Sequence, residues 1–400
     1  AVTLHVLRPF PARELAGICA DAAHVLIADR QDSYGAGGGS LSLEVRAALQ
    51  KYGCRASVGN LVYGLGGADF TAKDAERMFE AAKQKEIPEY YGICPGQGGA
   101  DTKPLFAPLI REKTRIGLPE EPEKVTLNAT AEMPDRIAPG HGACPGCGIP
   151  VNLNLLLRGI ETPVILLFQT GCGMIVTTPY PQTCFKVPYV HNLFQNGAAT
   201  LSGIAELCYY KQRRGELPSG DILFIMVSGD GGMDIGMGSA LGTALRGHRL
   251  LMFEYDNGGY MNTGYQLSYS TPKGARSATS HVGACQYGKS FFHKDMPQLM
   301  AAVNIPYVAT VAESDPVDFM KRARKAAQYA IHEGTAYVKA ISACPLNWND
   351  RPQTERRVIG AAVDCCYFPL YEVEYGKTRL NYDPVEKGKK IPVKDWLGMM

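Results

Sequence analysis

The sequence predicts an α/β protein of two domains, each built on a parallel sheet, and three observations carry that prediction. Short apolar runs alternate with helical patterns at strand–helix–strand spacing. The chain, at 400 residues, exceeds one ordinary domain. A stretch dense in Gly and Pro separates a small alternating region from a larger one.

In residues 1–90 a helical pattern over 12–22 precedes an apolar strand over 24–28, which runs into the loop Asp29-Arg-Gln-Asp-Ser-Tyr-Gly-Ala-Gly-Gly-Gly39. A helix over 41–50, a strand over 56–62 ending at Gly64-Leu-Gly-Gly67, and a helix over 73–85 complete a small α/β unit. The glycine run Gly35 to Gly39 is a weak nucleotide signal by itself and reads as a packing turn. Residues 91–139 carry Ile93-Cys-Pro-Gly-Gln-Gly-Gly99 and mixed charge around 119–124, and read as a linker or arm. From 140 to 348 a second domain shows four apolar runs, 163–168, 221–227, 250–255 and 337–341, which fit strands buried on both faces. Helical patterns lie between them at 198–213, 234–245 and 316–332. Residues 349–400 are Pro-rich, polar and charged, and read as a tail that packs on partners.

The balance of 41 Lys and Arg against 39 Asp and Glu leaves a net charge of +2, which gives no electrostatic reason to expect nucleic acid or an anionic membrane surface. No apolar run approaches the roughly 18–20 residues needed to cross a bilayer. The opening AVTLHVLRPFPARE lacks the charged start and apolar core of a leader. A cytoplasmic location without a membrane span is the expectation.

Two consecutive strands carry the strongest local signal. The run 222–232 ends in Gly229-Asp-Gly-Gly232, and the next strand ends in Tyr255-Asp-Asn-Gly-Gly-Tyr-Met-Asn-Thr-Gly264. Asp230 and Asn257 are therefore one strand–helix–strand crossover apart and arrive at the same carboxyl edge, where α/β sheets bind ligands. The donor set suits magnesium diphosphate, because Mg²⁺ takes a few oxygen ligands from protein and the rest from phosphate and water. Asp230 offers a carboxylate, Asn257 an amide oxygen and Gly259 a backbone carbonyl. Gly229, Gly231 and Gly232 remove side chains where phosphates approach the backbone.

Twelve cysteines need an account in a long chain with ample core residues, where a disulfide framework is not expected. Cys19, Cys54, Cys184, Cys208 and Cys285 read as core filler, and the vicinal Cys365 and Cys366 as structural. The run His141-Gly-Ala-Cys144-Pro-Gly-Cys147-Gly is a CxxC on a glycine-rich turn, ambiguous among zinc, a redox dithiol and iron–sulfur. Its natural partners are single cysteines at strand ends, Cys172 and Cys344. Four thiolates at one sheet edge meet the requirement of a [4Fe–4S] cluster.

The wording YDNGGYMNTGYQLSYSTPKGA after GDGG resembles the β subunit of 2-oxoacid:ferredoxin oxidoreductases, the pyruvate synthase family, and CPGCG, TGC and ACP…W match its cluster motifs. The resemblance implies that the larger domain is a thiamine-diphosphate-binding fold. It implies that Asp230, Asn257 and the Gly259 carbonyl hold Mg²⁺, and that Gly229, Asp230, Gly231, Gly232, Asn257, Gly259, Asn262 and Cys172 contact thiamine diphosphate. Cys144, Cys147, Cys172 and Cys344 would ligate the [4Fe–4S] cluster. At Ile149, relatives often carry a polar residue that can touch the cofactor, so that contact is in doubt. Pro188-Tyr-Val-His-Asn-Leu-Phe-Gln-Asn196 also resembles a family segment, and His191 is its one histidine. Residues 1–90 look like the transketolase-C-terminal-like domain that family members carry on the α chain, fused ahead of a β subunit.

The activity implied is CoA-dependent oxidative decarboxylation of a 2-oxoacid to acyl-CoA and CO₂, with electrons passing from thiamine through the cluster. Pyruvate and branched or aromatic 2-oxoacids such as phenylglyoxylate are the implied substrates. No residue matches the family's general acid/base glutamate, which is expected on a partner; Asn262 is a catalytic candidate in this chain, and His191 has a catalytic reading beside the structural one. Implied partners are an α-type subunit with the other thiamine domain, a CoA-binding γ-type domain, a ferredoxin-like subunit with further clusters, and ferredoxin or another acceptor. The alternative is a subunit of a non-redox thiamine decarboxylase or synthase, which leaves the placed cysteines idle.

Overall fold

The protein, as a computed structural model, is described over residues 2, 4, 9–29, 39–63, 71–84, 90–91, 125–178 and 183–400. It divides into two compact units, Ala1–Thr114 and Arg115–Met400.

In the first unit β1 (His24–Asp29), β2 (Ser57–Tyr63) and β3 (Tyr90–Tyr91) form a parallel sheet in that order. Helices Ala12–Ile18 and Ser40–Lys51 bury Leu15, Val45 and Leu49 against Ile27. The first helix stops at Ile18, four residues short of the expected end, as Cys19 and its neighbours close it with turn hydrogen bonds. Helix Ala72–Gln84 matches the expected 73–85 closely. Asp29 Oδ2 accepts from the Leu41 N–H at 2.8 Å, so this acid caps the second helix from outside its own strand. Of the glycine loop only Gly39 lies within the described residues, as the N-cap of that helix. Gly64-Leu-Gly-Gly67 lies outside them.

The second unit is one eight-stranded sheet. Its strands are β4 (Val164–Gln169), β5 (Tyr189–Asn192), β6 (Leu223–Gly229), β7 (Leu251–Asp256), β8 (Tyr307–Ala312), β9 (Ala336–Ile341), β10 (Tyr371–Glu374) and β11 (Lys377–Leu380), in the order β11-β10-β8-β9-β7-β6-β4-β5. The run from β8 to β5 is parallel, and β10 and β11 add antiparallel at one edge. Strand alternation sorts the core. Leu223, Ile225 and Val227 of β6 pack with Leu153 and Leu156 of helix Gly148–Arg158 and with Phe319 and Ala323 of helix Pro316–His332. Phe224 and Met226 pack on the other face with Leu201 and Ala205 of helix Gly197–Arg213 and with Met296 and Met300.

Three expectations are corrected. Residues 349–400 are not a detached tail: helix Glu355–Asp364, β10, β11 and helix Val393–Leu397 fold into this unit, and Val358, Phe368 and Trp396 share a core with Ile341. Residues 125–139, expected in the linker, also join it, through helix Leu127–Ala131 and the bridge of Ile137 to Phe185; residues 92–124 lie outside the described set. The helix expected over 234–245 is two, Asp230–Ile235 and Met237–Leu245, parted at Gly236. There an added Cβ would lie 2.7 Å from the Phe194 carbonyl oxygen. Among the described residues no helix is long and apolar enough to cross a membrane.

Candidate functional site

Four neighbouring parallel strands, β4, β6, β7 and β9, deliver Cys172, Asp230, Asn257 and Cys344 just beyond their carboxyl ends. The expected crossover therefore holds, and it places the oxygen donors between two of the cysteines. The turn with Cys144 and Cys147 is tied to the same edge by the Gly148 N–H, which donates to the Ala343 carbonyl at 3.2 Å.

Asp230 is buried. Its Oδ2 accepts from Ser268 Oγ at 2.5 Å and its backbone oxygen accepts from Lys294 Nζ at 2.8 Å. Its Oδ1 faces Asn257. One terminal atom of the Asn257 amide lies 3.1 Å from Asp230 Oδ1 and 3.0 Å from the Gly259 carbonyl oxygen. With nothing between them, only the amide nitrogen can sit against two acceptors. With a cation between them, the same atom can be the oxygen. These two separations of about 3.0 Å match the oxygen–oxygen edge of an octahedron whose metal–oxygen distance is about 2.1 Å, the Mg²⁺ value.

The surrounding charges favour the second arrangement. Asp230, Asp234, Glu254 and Asp256 stand against Lys294 and Lys339, with a third buried lysine, Lys289, held nearby on the Ser268, Tyr269 and Thr271 carbonyls. Lys294 pairs with Asp234 at 2.5 Å and reaches Glu254 at 3.6 Å; Lys339 pairs with Asp256 at 2.6 Å and reaches Glu254 at 3.7 Å. Burial pushes the Asp230 carboxyl well above the ordinary range, and Asp256 pushes it further, against Lys294 and Ser268. Carboxyls crowded into a desolvated site are the load a divalent cation relieves.

The glycines serve a crowded wall. A Cβ on Gly231 would meet the Tyr260 ring at 2.4 Å, on Gly232 Ser228 Oγ at 2.4 Å, and on Gly229 the Tyr255 ring at 3.0 Å. Protein side chains thus fill the space beside all three α-carbons. Tyr255 is central: its hydroxyl accepts from the Gly173 N–H at 2.9 Å, joining the ends of β4 and β7. A cavity of about 780 Å³ opens beside the Asn257 loop, lined by Asp256, Gly258, Lys294, Lys339, Trp348 and Trp396 among others.

The cysteines feel one another. Burial pushes Cys147 up to about 12, with Cys344, Cys172 and Cys144 adding, and pushes Cys172 up to about 11, with Cys344 adding. Burial raises Cys344 too, against hydrogen bonds from Asn347. Backbone N–H groups of Ile149 and Asn262 point at Cys147 and Cys172, and Asn347 Nδ2 donates to Cys344 Sγ at 3.4 Å. Donors aimed at sulfur suit thiolates, and thiols raised this far keep their protons at neutral pH unless a metal centre displaces them. Among the described residues no three His, Cys, Asp or Glu side chains gather closely enough to hold a single metal ion. A cubane distributes its thiolates over separate irons.

The remaining candidates separate. Asn262 is exposed, with its N–H on Cys172. Ile149 is 1% exposed and packs in the core, so its side chain is no cofactor contact. His191 lies on β5, exposed, with Nε2 3.0 Å from Thr170 Oγ1. Cys19, Cys184 and Cys365 are buried as expected of filler, Cys54 and Cys208 partly so, while Cys285 and Cys366 are exposed. Ser268, Tyr255, Lys294, Lys339 and Trp348 were not anticipated. The signal for one pair was present: a lysine in AYVKAI and a glutamate in LMFEYD, charges inside strands buried on both faces, must answer each other. Glu254 and Lys339 are register partners.

Residues 169–340 match the family described as thiamine pyrophosphate enzyme, C-terminal TPP binding domain, and residues 1–75 match pyruvate:ferredoxin oxidoreductase core domain II. The chain is 41% identical over 264 residues to the pyruvate synthase subunit PorB of Methanocaldococcus jannaschii, covering 66% of this chain and 87% of that one. It is 32% identical over 282 residues to the ketoisovalerate oxidoreductase subunit VorB of Pyrococcus abyssi, covering 70% and 88%. A solved 2-oxoglutarate:ferredoxin oxidoreductase from Magnetococcus marinus aligns at 21% identity and a TM-score of 0.45, over 66% of this chain and 90% of that one.

Proposed function

The chain belongs to the 2-oxoacid:ferredoxin oxidoreductase family, among its pyruvate synthase β-type subunits, and from that premise we propose that it anchors Mg²⁺–thiamine diphosphate beside a [4Fe–4S] cluster. In this role it serves the CoA-dependent oxidative decarboxylation of a 2-oxoacid to acyl-CoA and CO₂. The observation that carries the proposal is the adjacency of β4, β6, β7 and β9, whose ends bring oxygen donors and thiols to one edge.

When bound, thiamine diphosphate supplies an electron sink for decarboxylation and the cluster a one-electron acceptor. The chain's own residues do the placing. Ser268 takes one oxygen of Asp230 and leaves the other facing Asn257, so that oxygen would be the one free to hold Mg²⁺. Lys294 fixes the Asp230 backbone without competing for that atom. Gly229, Gly231 and Gly232 keep the wall close, and exposed Asn262, whose N–H is on Cys172, would contact the cofactor together with Cys172. Cys144, Cys147, Cys172 and Cys344 hold the cluster, with amide donors offsetting their charge.

Partner chains supply an α-type thiamine domain with its glutamate, a CoA-binding γ-type domain and a ferredoxin-like relay to ferredoxin. Pyruvate is the first substrate to test, then 3-methyl-2-oxobutanoate and phenylglyoxylate. Iron, sulfide and thiamine analysis of the native complex, followed by a 2-oxoacid screen with CoA and a ferredoxin, tests the proposal. One cubane and one thiamine diphosphate per chain are expected. A complex with thiamine but no iron in this chain would instead favour a non-redox decarboxylase.

A further inference from the structure

We propose that Trp348 is a strut between the Cys344 turn and the Asn257 loop, through which filling the cysteine site tightens the diphosphate–metal site. The inference rests on the assignments above and adds a coupling between them.

Each end of the strut is tied. Helix Pro345–Trp348 is wound directly on Cys344: the Trp348 N–H donates to the Cys344 carbonyl at 2.8 Å, and the Asn347 N–H does so at 3.0 Å. Asn349 then turns the chain away in the left-handed region, with φ 59°. At the far end Trp348 Nε1 donates to the Asn257 carbonyl oxygen at 2.8 Å. One side chain therefore spans from a proposed cluster ligand to a proposed Mg²⁺ ligand on neighbouring strands β9 and β7.

The strut is backed. Trp396 stands edge-on to Trp348 at 6.3 Å and 85°, and itself stacks on Tyr367 at 4.4 Å. Trp396 is buried in the core made by Val358, Ile359 and Phe368. The indole of Trp348 is thus braced on one side by the C-terminal segment, and a shift of the Cys344 turn passes to Asn257 through its N–H. Ligating iron fixes Cys344, fixing Cys344 fixes the start of this helix, and the helix sets the carbonyl that precedes Gly258. The coupling is reciprocal, since two sites that bias one element bias each other.

The test uses the native complex, freed of thiamine diphosphate by dialysis, with its clusters either intact or removed by oxidation and chelation. Titration calorimetry with thiamine diphosphate and Mg²⁺ gives the dissociation constants. The wild type is expected to bind about five- to tenfold more weakly without clusters, the weight of one hydrogen bond in a binding equilibrium. Trp348→Phe keeps a ring against Trp396 but loses the N–H; it should bind that weakly even with clusters intact and show no further dependence on them. Equal wild-type affinities in the two states would overturn the strut, as would a Trp348→Phe complex that keeps the wild-type ratio. Should Trp348→Phe fail to assemble, emission decides: in a complex carrying Trp396→Phe, Trp348 is the one tryptophan left in this chain. Thiamine diphosphate added to that complex should shift its emission more with clusters intact than with clusters removed, and an unmoved signal would sink the proposal. Absence of binding in both wild-type states would bring down the cofactor assignment, and the strut with it.

Discussion

Lys294 meets Asp230 through the backbone: its Nζ donates to the Asp230 main-chain oxygen at 2.8 Å and leaves the carboxylate to others. Charge and position of Asp230 can therefore be separated. Asp230→Asn keeps the backbone bond and the volume but loses the charge. Its Mg²⁺-dependent affinity for thiamine diphosphate should fall roughly hundredfold, at least the cost of disturbing a metal's outer partners. Iron content should not change. Thermal stability without cofactor should hold or rise, because a buried carboxyl that desolvation already disfavours is gone. Calorimetry and iron assay on one preparation check this, and unchanged affinity would refute the ligand role.

The same lysine answers two other acids. Its side chain is 6% exposed, Asp234 4% and Glu254 0%. Lys294→Met fills the space with a thioether and strands both carboxylates, at an expected cost of about 3–5 kcal/mol. Urea denaturation measures it. A loss below about 1 kcal/mol would mean that Lys339 alone balances this cluster.

Much of this arrangement was legible because parallel strands announce themselves. Runs such as 222–227 and 250–253 are apolar throughout, since both sheet faces are covered, and fixed strand–helix–strand spacing put Asp230 and Asn257 side by side. Tyr307–Ala312 escaped notice, although it is buried as fully: Thr310 interrupts its apolar run, and only the fold shows that hydroxyl donating to the Pro369 carbonyl at 2.8 Å. The C-terminal segment misled for the opposite reason. Its Pro and charge suggested a tail, but Glu372 is buried against Arg322 at 2.9 Å, a pairing 50 residues apart that composition cannot reveal. Tyr255, Ser268 and Trp348 were illegible because each acts on a backbone or carboxyl group brought close by tertiary folding alone.

The turn between the first two cysteines depends on one glycine. Gly146 has φ +77°, and a Cβ there would lie 2.6 Å from Pro352 Cα, a backbone atom that cannot swing aside. Gly146→Ala should cost about 1–3 kcal/mol through strain and contact together. It should also lower iron occupancy while Asp230 and Asn257 stay in place. Cys344→Ala should lose the cluster's visible absorption and bind thiamine diphosphate only as well as cluster-stripped wild type. Full iron in Cys344→Ala would remove that residue from the ligand set.

Glu313 gives the fold a pH dependence of its own. It is 3% exposed, both its oxygens lack a donor, and the group facing it is the carboxyl of Glu355. Two carboxylates cannot bond to each other, but one proton between them makes the bond. Burial, and then that contact with Glu355, therefore raise Glu313 well above its ordinary 4.5, opposed by Arg356. The native state holds a proton that the unfolded chain would release. This contribution to stability is complete below about pH 4.5 and is lost as pH rises through the raised value. Its slope is at most about 1.4 kcal/mol per pH unit for one proton. Glu313→Gln carries a permanent donor towards Glu355, so it should lose less stability than wild type between about pH 5 and 9. Urea denaturation across that range compares the two, and parallel curves would show that Glu313 is ionised in the native protein at neutral pH.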